Sequence, residues 1–244
     1  MKLTPTFTSG KMKMMFQTVV DCLNGLLKKI RLDSEKKNPI DIKEVLGCFG
    51  TEIIGSCAFG LELKIFDQED SPFREYGKRI FNTTKLRALR RALCTSFPEF
   101  ARALGVKMVP RDIANFFMKV VKDTVEYREK NNYIRKDFMQ LLIDLKNNVP
   151  EDAGYTHDGK TLTMEEIAAQ CFVFFLAGYE TSSTTMTFAL YELSKNQDLQ
   201  QRLRDEIESV LAKHDGKVTY QSIQDMKYMN QVIEGSRSVK VKNV

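Results

Sequence analysis

Apolar residues recur along most of this chain at the spacing of a helix face. In DIKEVLGCFGTEIIGSCAF, residues 41–59, the positions Ile42, Val45, Leu46, Phe49, Ile53 and Cys57 gather near one side. RDIANFFMKVVKDTVEYREK, 111–130, repeats the pattern with Ile113, Phe117, Val120, Val121 and Val125. DFMQLLIDLKNN predicts a shorter helix that stops before Pro150, and EDAGYTHDGKTL, 151–162, carries the Gly, Asp and Thr of a loop.

The next segment opens on a start signal. Thr163-Met-Glu165-Glu166 fits a capping box, with Thr163 as N-cap and Glu166 at the third helical position. Ile167, Cys171, Phe174, Phe175, Gly178, Ser182, Thr185 and Ala189 follow at helical spacing, and no breaker appears until about Asn196. Roughly 30 residues at 1.5 Å each predict a rod of about 45 Å, long enough to cross a domain. LQQRLRDEIESVLAKH continues as a charged amphipathic helix ending at Asp215-Gly216. With strand signals scarce, and no repeat or low-complexity linker, the expected fold is mainly α, as one unit.

The middle of the long helix breaks its own pattern. FFLAGYETSSTT, 174–185, places Gly178, Glu180 and six hydroxyl-bearing residues where a buried helix holds leucines. Interior glycine costs about 1 kcal/mol against alanine, and Ser or Thr competes for backbone carbonyls. The Thr181 hydroxyl can bond back to the carbonyl of Ala177, or the helix can open there and admit a water. Two readings stay open on these residues: a functional distortion with Glu180 relaying protons, or a helix crossing with Glu180 turned to solvent.

Composition narrows the function classes. Net charge is +5, from 37 basic and 32 acidic residues, and no basic stripe is interleaved with aromatics, so nucleic acid is not expected as a partner. The five cysteines (22, 48, 57, 94 and 171) are widely spaced without a CxxC pair, and the two histidines form no zinc spacing, so no metal ligands are assigned. MKLTPTFTSGKMK lacks the apolar core of a signal peptide, and Ala168–Leu190 is too polar to span a bilayer alone. One stretch is locally basic: in 79–104, Lys85, Arg87, Arg90 and Arg91 sit beside Leu86, Leu89 and Leu93. Such a segment is either a solvated helix face or a peripheral contact with an anionic membrane.

AGYET resembles the oxygen-binding motif, A/G-G-x-D/E-T, of cytochrome P450 monooxygenases. KLTPTFTSGKMK at 2–13, TEIIGSCAFGLE at 51–62 and FFLAGYETSSTTMTFALYEL at 174–193 resemble microsomal members, above all the insect xenobiotic-metabolising group. MKYMNQVIE at 226–234 resembles the segment before that family's E-x-x-R motif. The resemblance runs from about residue 3 to 234 and implies a domain at 1–234 forming the central helical part of the P450 fold, with little β-structure and incomplete at both ends. It implies a haem cofactor and insertion of one oxygen atom of O₂ into small lipophilic or xenobiotic substrates. Electrons would come from NADPH–cytochrome P450 reductase, on the cytosolic face of the endoplasmic reticulum membrane.

Carried over, Ala177 and Gly178 would line the oxygen pocket. Glu180 and Thr181 would deliver protons, and Phe174 and Phe175 would face either the substrate cavity or the core. Residues 79–104 resemble the lid over the substrate channel. The family's haem-ligating cysteine lies in an F-x-x-G-x-R-x-C-x-G loop that has no match here, and the N-terminal anchor and a Trp/Arg pair are expected before residue 3. Glu234-Gly-Ser-Arg237 has E-x-x-R spacing, but so has Glu99-Phe-Ala-Arg102, so the tail at 235–244 reads as unrelated sequence. The chain alone is therefore expected to be inactive. The alternative is a non-catalytic truncated helical protein without haem. A coiled-coil scaffold is disfavoured because no heptad register survives Gly178–Thr185.

Overall fold

The structure is a computed structural model. It describes residues 8–37, 39–67, 71–81, 84–147 and 161–242. Among these there is no strand; the secondary structure is eleven α-helices. They are α1 (Ser9–Glu35), α2 (Ile42–Phe59), α3 (Pro72–Phe81), α4 (Lys85–Ser96), α5 (Pro98–Ala103) and α6 (Arg111–Asn131). Then come α7 (Phe138–Lys146), α8 (Met164–Lys195), α9 (Gln197–Ala212), α10 (Tyr220–Asp225) and α11 (Lys227–Lys242). The expected helices at 41–59, 111–130, 137–148 and from 163 onward are all present, whereas the loop expected at 151–162 falls almost wholly outside the described residues. The basic stretch 79–104 is not one helix, because Phe97-Pro98 restarts the chain as α5. The segment 235–242 continues α11 without interruption.

Helix α2 lies between α1 and α8 and is apolar or small nearly all round. Toward α1, Val45, Leu46 and Phe49 meet Cys22 and Leu26. Toward α8 it presents Gly50, and Ala58 whose carbonyl meets the Cys171 thiol, both buried, so the backbones of α2 and α8 come close. A β-carbon at Gly50 would sit 3.4 Å from the carbonyl oxygen of Tyr179. The sequence stripe through Ile42, Ile53 and Cys57 is only half-buried. The face that sequence periodicity left unassigned carries the main contact.

The largest core forms where α2, α3, α6, α7 and α8 converge. Phe59, Phe73, Phe117 and Phe175 pack as a cluster with ring centroids 4.8–6.3 Å apart. Ile113, Val121, Met139, Leu142, Ile167 and Cys171 fill the space around them. Truncating one such fully buried phenylalanine to alanine costs about 3–5 kcal/mol.

One charged pair ties three elements together beneath this core. Arg128 of α6 donates from Nη1 to Asp137 Oδ1 at 2.9 Å and from Nη2 to Oδ2 at 2.5 Å, with side chains 2% and 1% exposed. Asp137 also caps α7, accepting from the Gln140 N–H at 2.9 Å. The end of α2 closes over the pair at Gly60, whose φ of +69° is left-handed. A β-carbon there would collide with the Arg128 guanidinium, so glycine is needed both for the turn and for the approach.

Removing one member leaves the other charge buried and unpaired. Asp137→Ala is expected to lower the unfolding free energy by about 3–5 kcal/mol. Glu99→Ala, at the exposed Glu99–Arg102 pair, is expected to change it immeasurably. Urea unfolding of both variants checks the contrast, and equal midpoints would show that the Asp137 pair does not hold the junction.

Candidate functional site on the long helix

Helix α8 begins as the sequence requires. Thr163 Oγ1 accepts from the Glu166 N–H at 3.2 Å, and the Thr163 N–H donates to Glu166 Oε2 at 2.9 Å. From there 32 residues run without a break, so the polar middle does not open the helix. Its hydroxyls are absorbed by the helix itself. Ser183 donates to the Tyr179 carbonyl at 2.8 Å, Thr185 to Thr181 at 2.8 Å and Thr187 to Ser183 at 2.7 Å. Thr181 donates to the carbonyl of Ala177. Of the two possibilities for Thr181, the structure adopts back-bonding.

The middle of α8 divides by face. Phe175 and Tyr179 point into the core at 0% and 5% exposure, stacked at a centroid distance of 5.6 Å. Ala177 and Thr181, four residues apart and hence on one side, are exposed together with Val173. Gly178 lies on neither of these sides. A β-carbon at Gly178 would collide with Ile54 Cδ1 of α2, so this half-buried position serves the crossing. Glu180 leans toward α2, its Oε1 3.3 Å from Lys43 Nζ and 3.4 Å from the Thr184 hydroxyl.

Of the two phenylalanines considered for substrate contact, Phe175 is a core residue and Phe174 is partly buried against that core. Phe175 is fully enclosed by Phe59, Phe73, Phe117 and Tyr179. Phe174 lies over Phe138 of α7, with centroids 3.9 Å apart. A cavity of about 250 Å³ does border α8, but the helix lines it with Phe172 and Leu176. Its other walls come from α3, α4 and α6 and the segment before α6, including Ile80, Phe81, Met108, Val109 and Ile113. Phe172 and Leu176 are the α8 residues at this cavity, and reading by sequence did not single them out. FVFFL supports two apolar stripes a residue or two apart, and the choice between them depends on what α3 and α6 bring.

A family model for cytochrome P450 matches residues 2–235. The chain belongs to the cytochrome P450 family. It is 47% identical over 232 residues to the probable cytochrome P450 6a21 of Drosophila melanogaster. It is 45% identical over 237 residues to cytochrome P450 6a2 of the same fly, and 43% identical over 233 residues to cytochrome P450 6A1 of Musca domestica. Each match covers 95% of this chain but only 45–46% of the relative, so the chain spans about half the length of the curated P450s it matches.

P450s carry a haem, and its fit to this chain can be tested residue by residue. The open stripe of Val173, Ala177 and Thr181 fits one face of a flat ring: the side chains are small or short, and all three are exposed. Three of the five cysteines do not fit the other face. Burial pushes the Cys171 and Cys22 thiols up to about 12 and the Cys57 thiol to about 11, so none of these three is a thiolate at neutral pH. Cys171 turns away from the open stripe, its thiol 3.5 Å from the carbonyl of Ala58 in α2. Among the described residues no group of three His, Cys, Asp or Glu side chains could hold a metal ion.

The close crossing gives a direct test. Gly178→Ala is expected to lower stability by about 1–3 kcal/mol through overpacking against Ile54, although alanine is the better helix former by about 1 kcal/mol. The Gly178→Ala/Ile54→Val double variant should lose less than the sum of the singles. Additive losses in chemical denaturation would place Gly178 away from Ile54.

Proposed function

We propose that this chain forms the distal and substrate-covering half of a haem-thiolate monooxygenase, which inserts one atom of O₂ into small lipophilic substrates. The observation that carries the reading is that one helix combines an open, small-residue stripe at Val173, Ala177 and Thr181 with an apolar cavity at Phe172 and Leu176. Successive positions on a helix are about 100° apart, so the two faces adjoin. Bound haem supplies dioxygen activation, driven by electron donation from its thiolate.

The chain's own residues orient and supply protons. Ala177 leaves room over the ring. Thr181 Oγ1 holds a proton at the open face while bonded to the Ala177 carbonyl. Glu180, one residue away and ion-paired to Lys43, is the nearby acid through which that proton is replaced. Gly178 acts indirectly, setting the position of this turn against α2. The thiolate is assigned to sequence outside the span that the chain shares with its relatives, and residues 235–244 to a tail unrelated to the family. Electrons are assigned to NADPH–cytochrome P450 reductase.

The protein is placed at the endoplasmic reticulum membrane, on its cytosolic face. Among the described residues no helix is long and apolar enough to cross a membrane, and contact through α4 and α5 is the alternative route. Leu89, Phe97, Phe100, Leu104 and Met108 are 55–68% exposed there, beside Arg90, Arg91 and Arg102, a combination suited to an anionic bilayer. The second reading, a non-catalytic helical product, is favoured by one observation: Cys22 and Cys171 are buried in the fold and present no thiol to an iron at its surface.

Absorbance after haem loading, reduction and exposure to carbon monoxide separates the two readings. The sequence extended to the full length of its relatives is expected to give the thiolate-type Soret band, and residues 1–244 alone to give none. In the extended protein Thr181→Ala should keep the band while product formed per O₂ consumed falls about 10-fold or more. Absence of the band from the extended protein overturns the monooxygenase reading. For the membrane contact, Phe97→Asp/Phe100→Asp is expected to weaken sedimentation with phosphatidylserine vesicles by at least about 10-fold, since each buried phenylalanine contributes about 1.5–3 kcal/mol. Unchanged sedimentation would remove α4–α5 as the contact.

A further inference from the structure

Tyr179 stands two residues from both Ala177 and Thr181, yet it is buried where they are exposed. Its ring stacks with two others in nearly parallel planes. Phe175 lies with its centroid 5.6 Å away and its plane at 20°, and Phe81 at 5.5 Å and 18°. The two neighbours differ in setting. Phe175 is 0% exposed and packed against Phe59, Phe73 and Phe117, whereas Phe81 ends α3 and lines the cavity beside α8. Offset stacking has a preferred geometry, so a tilt of Phe81 is felt by the Tyr179 ring.

The backbone of Tyr179 is held from another side. Its carbonyl accepts from the Ser183 hydroxyl at 2.8 Å and faces Gly50 of α2, where a β-carbon would sit 3.4 Å away. Gly77 brings α3 onto the ring, since a β-carbon there would stand 3.2 Å from it. Helix α2 therefore bears on the carbonyl and α3 on the ring, so the cavity wall and the helix crossing meet at this residue. The phenol adds no charge. Burial pushes the Tyr179 hydroxyl above its ordinary value, so it stays protonated at neutral pH and acts on its neighbours by shape. Leucine would fill much of the same space without a flat face.

We propose that Tyr179 is a positioning residue through which an occupant of the cavity, by fixing Phe81, steadies the turn from Ala177 to Thr181. The inference rests on reading the cavity as the substrate pocket and Thr181 as a proton donor, and it adds how the second registers the first. An occupant limits the positions open to Phe81, and the stack passes that limit to the Tyr179 ring. With its carbonyl already held by α2, Tyr179 then has little freedom left. Thr181, about half a helical turn further on, is held with it. The effect is a narrowing of motion rather than a displacement.

Hydrogen exchange of residues 1–244 with and without saturating naphthalene, an apolar probe small enough for a cavity of about 250 Å³, reads this narrowing. Binding slows exchange throughout by mass action, so amides 177–181 are compared with amides 186–190 further along α8. Naphthalene is expected to slow the first group about threefold more than the second, near the lower end of couplings between residues in contact. Tyr179→Phe should keep that excess and Tyr179→Leu should lose it. Phe81→Leu, at a half-buried position where folding is less at risk, should lose it too, and the double variant should lose nothing further. Met108→Leu, on the cavity wall outside the stack, should keep it. No excess in the unaltered chain, its loss in Tyr179→Phe, or an equal loss in Met108→Leu overturns the positioning role. The thiolate-type band of the extended protein does not depend on this result, so the monooxygenase reading and this inference fail separately.

Discussion

The close approach of α2 to α8 is the constraint on which the other features depend. Gly50 lets α2 settle against the Tyr179 carbonyl, and Gly178 lets Ile54 settle against α8. A β-carbon at Gly50 would just reach ordinary contact with that carbonyl and one at Gly178 would have to displace the Ile54 side chain, so bulk beyond alanine would part the axes and draw Phe175 and Tyr179 out of the core. Dispersion contacts fade within about an ångström of extra gap, so the crossing sets more than distance. It fixes the rotation of α8 about its own axis. That rotation determines which residues meet the core, which line the cavity and which stay open.

Much of the helical framework was legible along the chain, because its signals are local. The Thr163–Glu166 capping box, the 111–130 stripe and the stop before Pro150 each involve residues within a few positions of one another, and each has its counterpart in the structure. The register within FVFFL was not legible. A 3.6-residue period accommodates Phe174–Phe175 or Phe172–Leu176 as the face toward a cavity, and only residues far away in sequence separate them. Gly77 of α3 brings that helix to within 3.2 Å of the Phe175 and Tyr179 rings, measured to its absent β-carbon, and Phe59 and Phe117 close the remaining sides. The glycine face of α2 escaped for the same reason: small residues carry no hydrophobic signal, yet the closest packing runs through them.

The charges follow a comparable division between buried and open sites. Arg128 and Asp137 are both enclosed, so each is worth having only with the other present, and their geometry is bidentate and further satisfied by the α7 cap. Glu180 and Lys43 are partly solvated, at 34% and 60% side-chain exposure, where an ion pair orients a carboxylate without fixing it. A group that must exchange protons with its surroundings suits the second setting. Cysteine thiols in the first setting are held neutral by the same desolvation, which is why the buried cysteines of this chain behave as small apolar residues.

The polar middle of α8 therefore has two causes on two sides of one turn. Gly178 is explained by packing, since Ile54 occupies the space a side chain would need. Packing does not explain Thr181, which is exposed and donates a hydrogen bond to the carbonyl of Ala177 in its own helix. A threonine in that position lowers helix propensity and adds no burial, so stability alone would favour alanine or leucine there. Its presence beside a small exposed alanine and an acid held by Lys43 makes sense if that surface is completed by another body, and a flat one matches the shallow relief. The glycine and the threonine belong to one motif in sequence, but the fold sets the first against Ile54 of α2 and leaves the second on the exposed side of the helix.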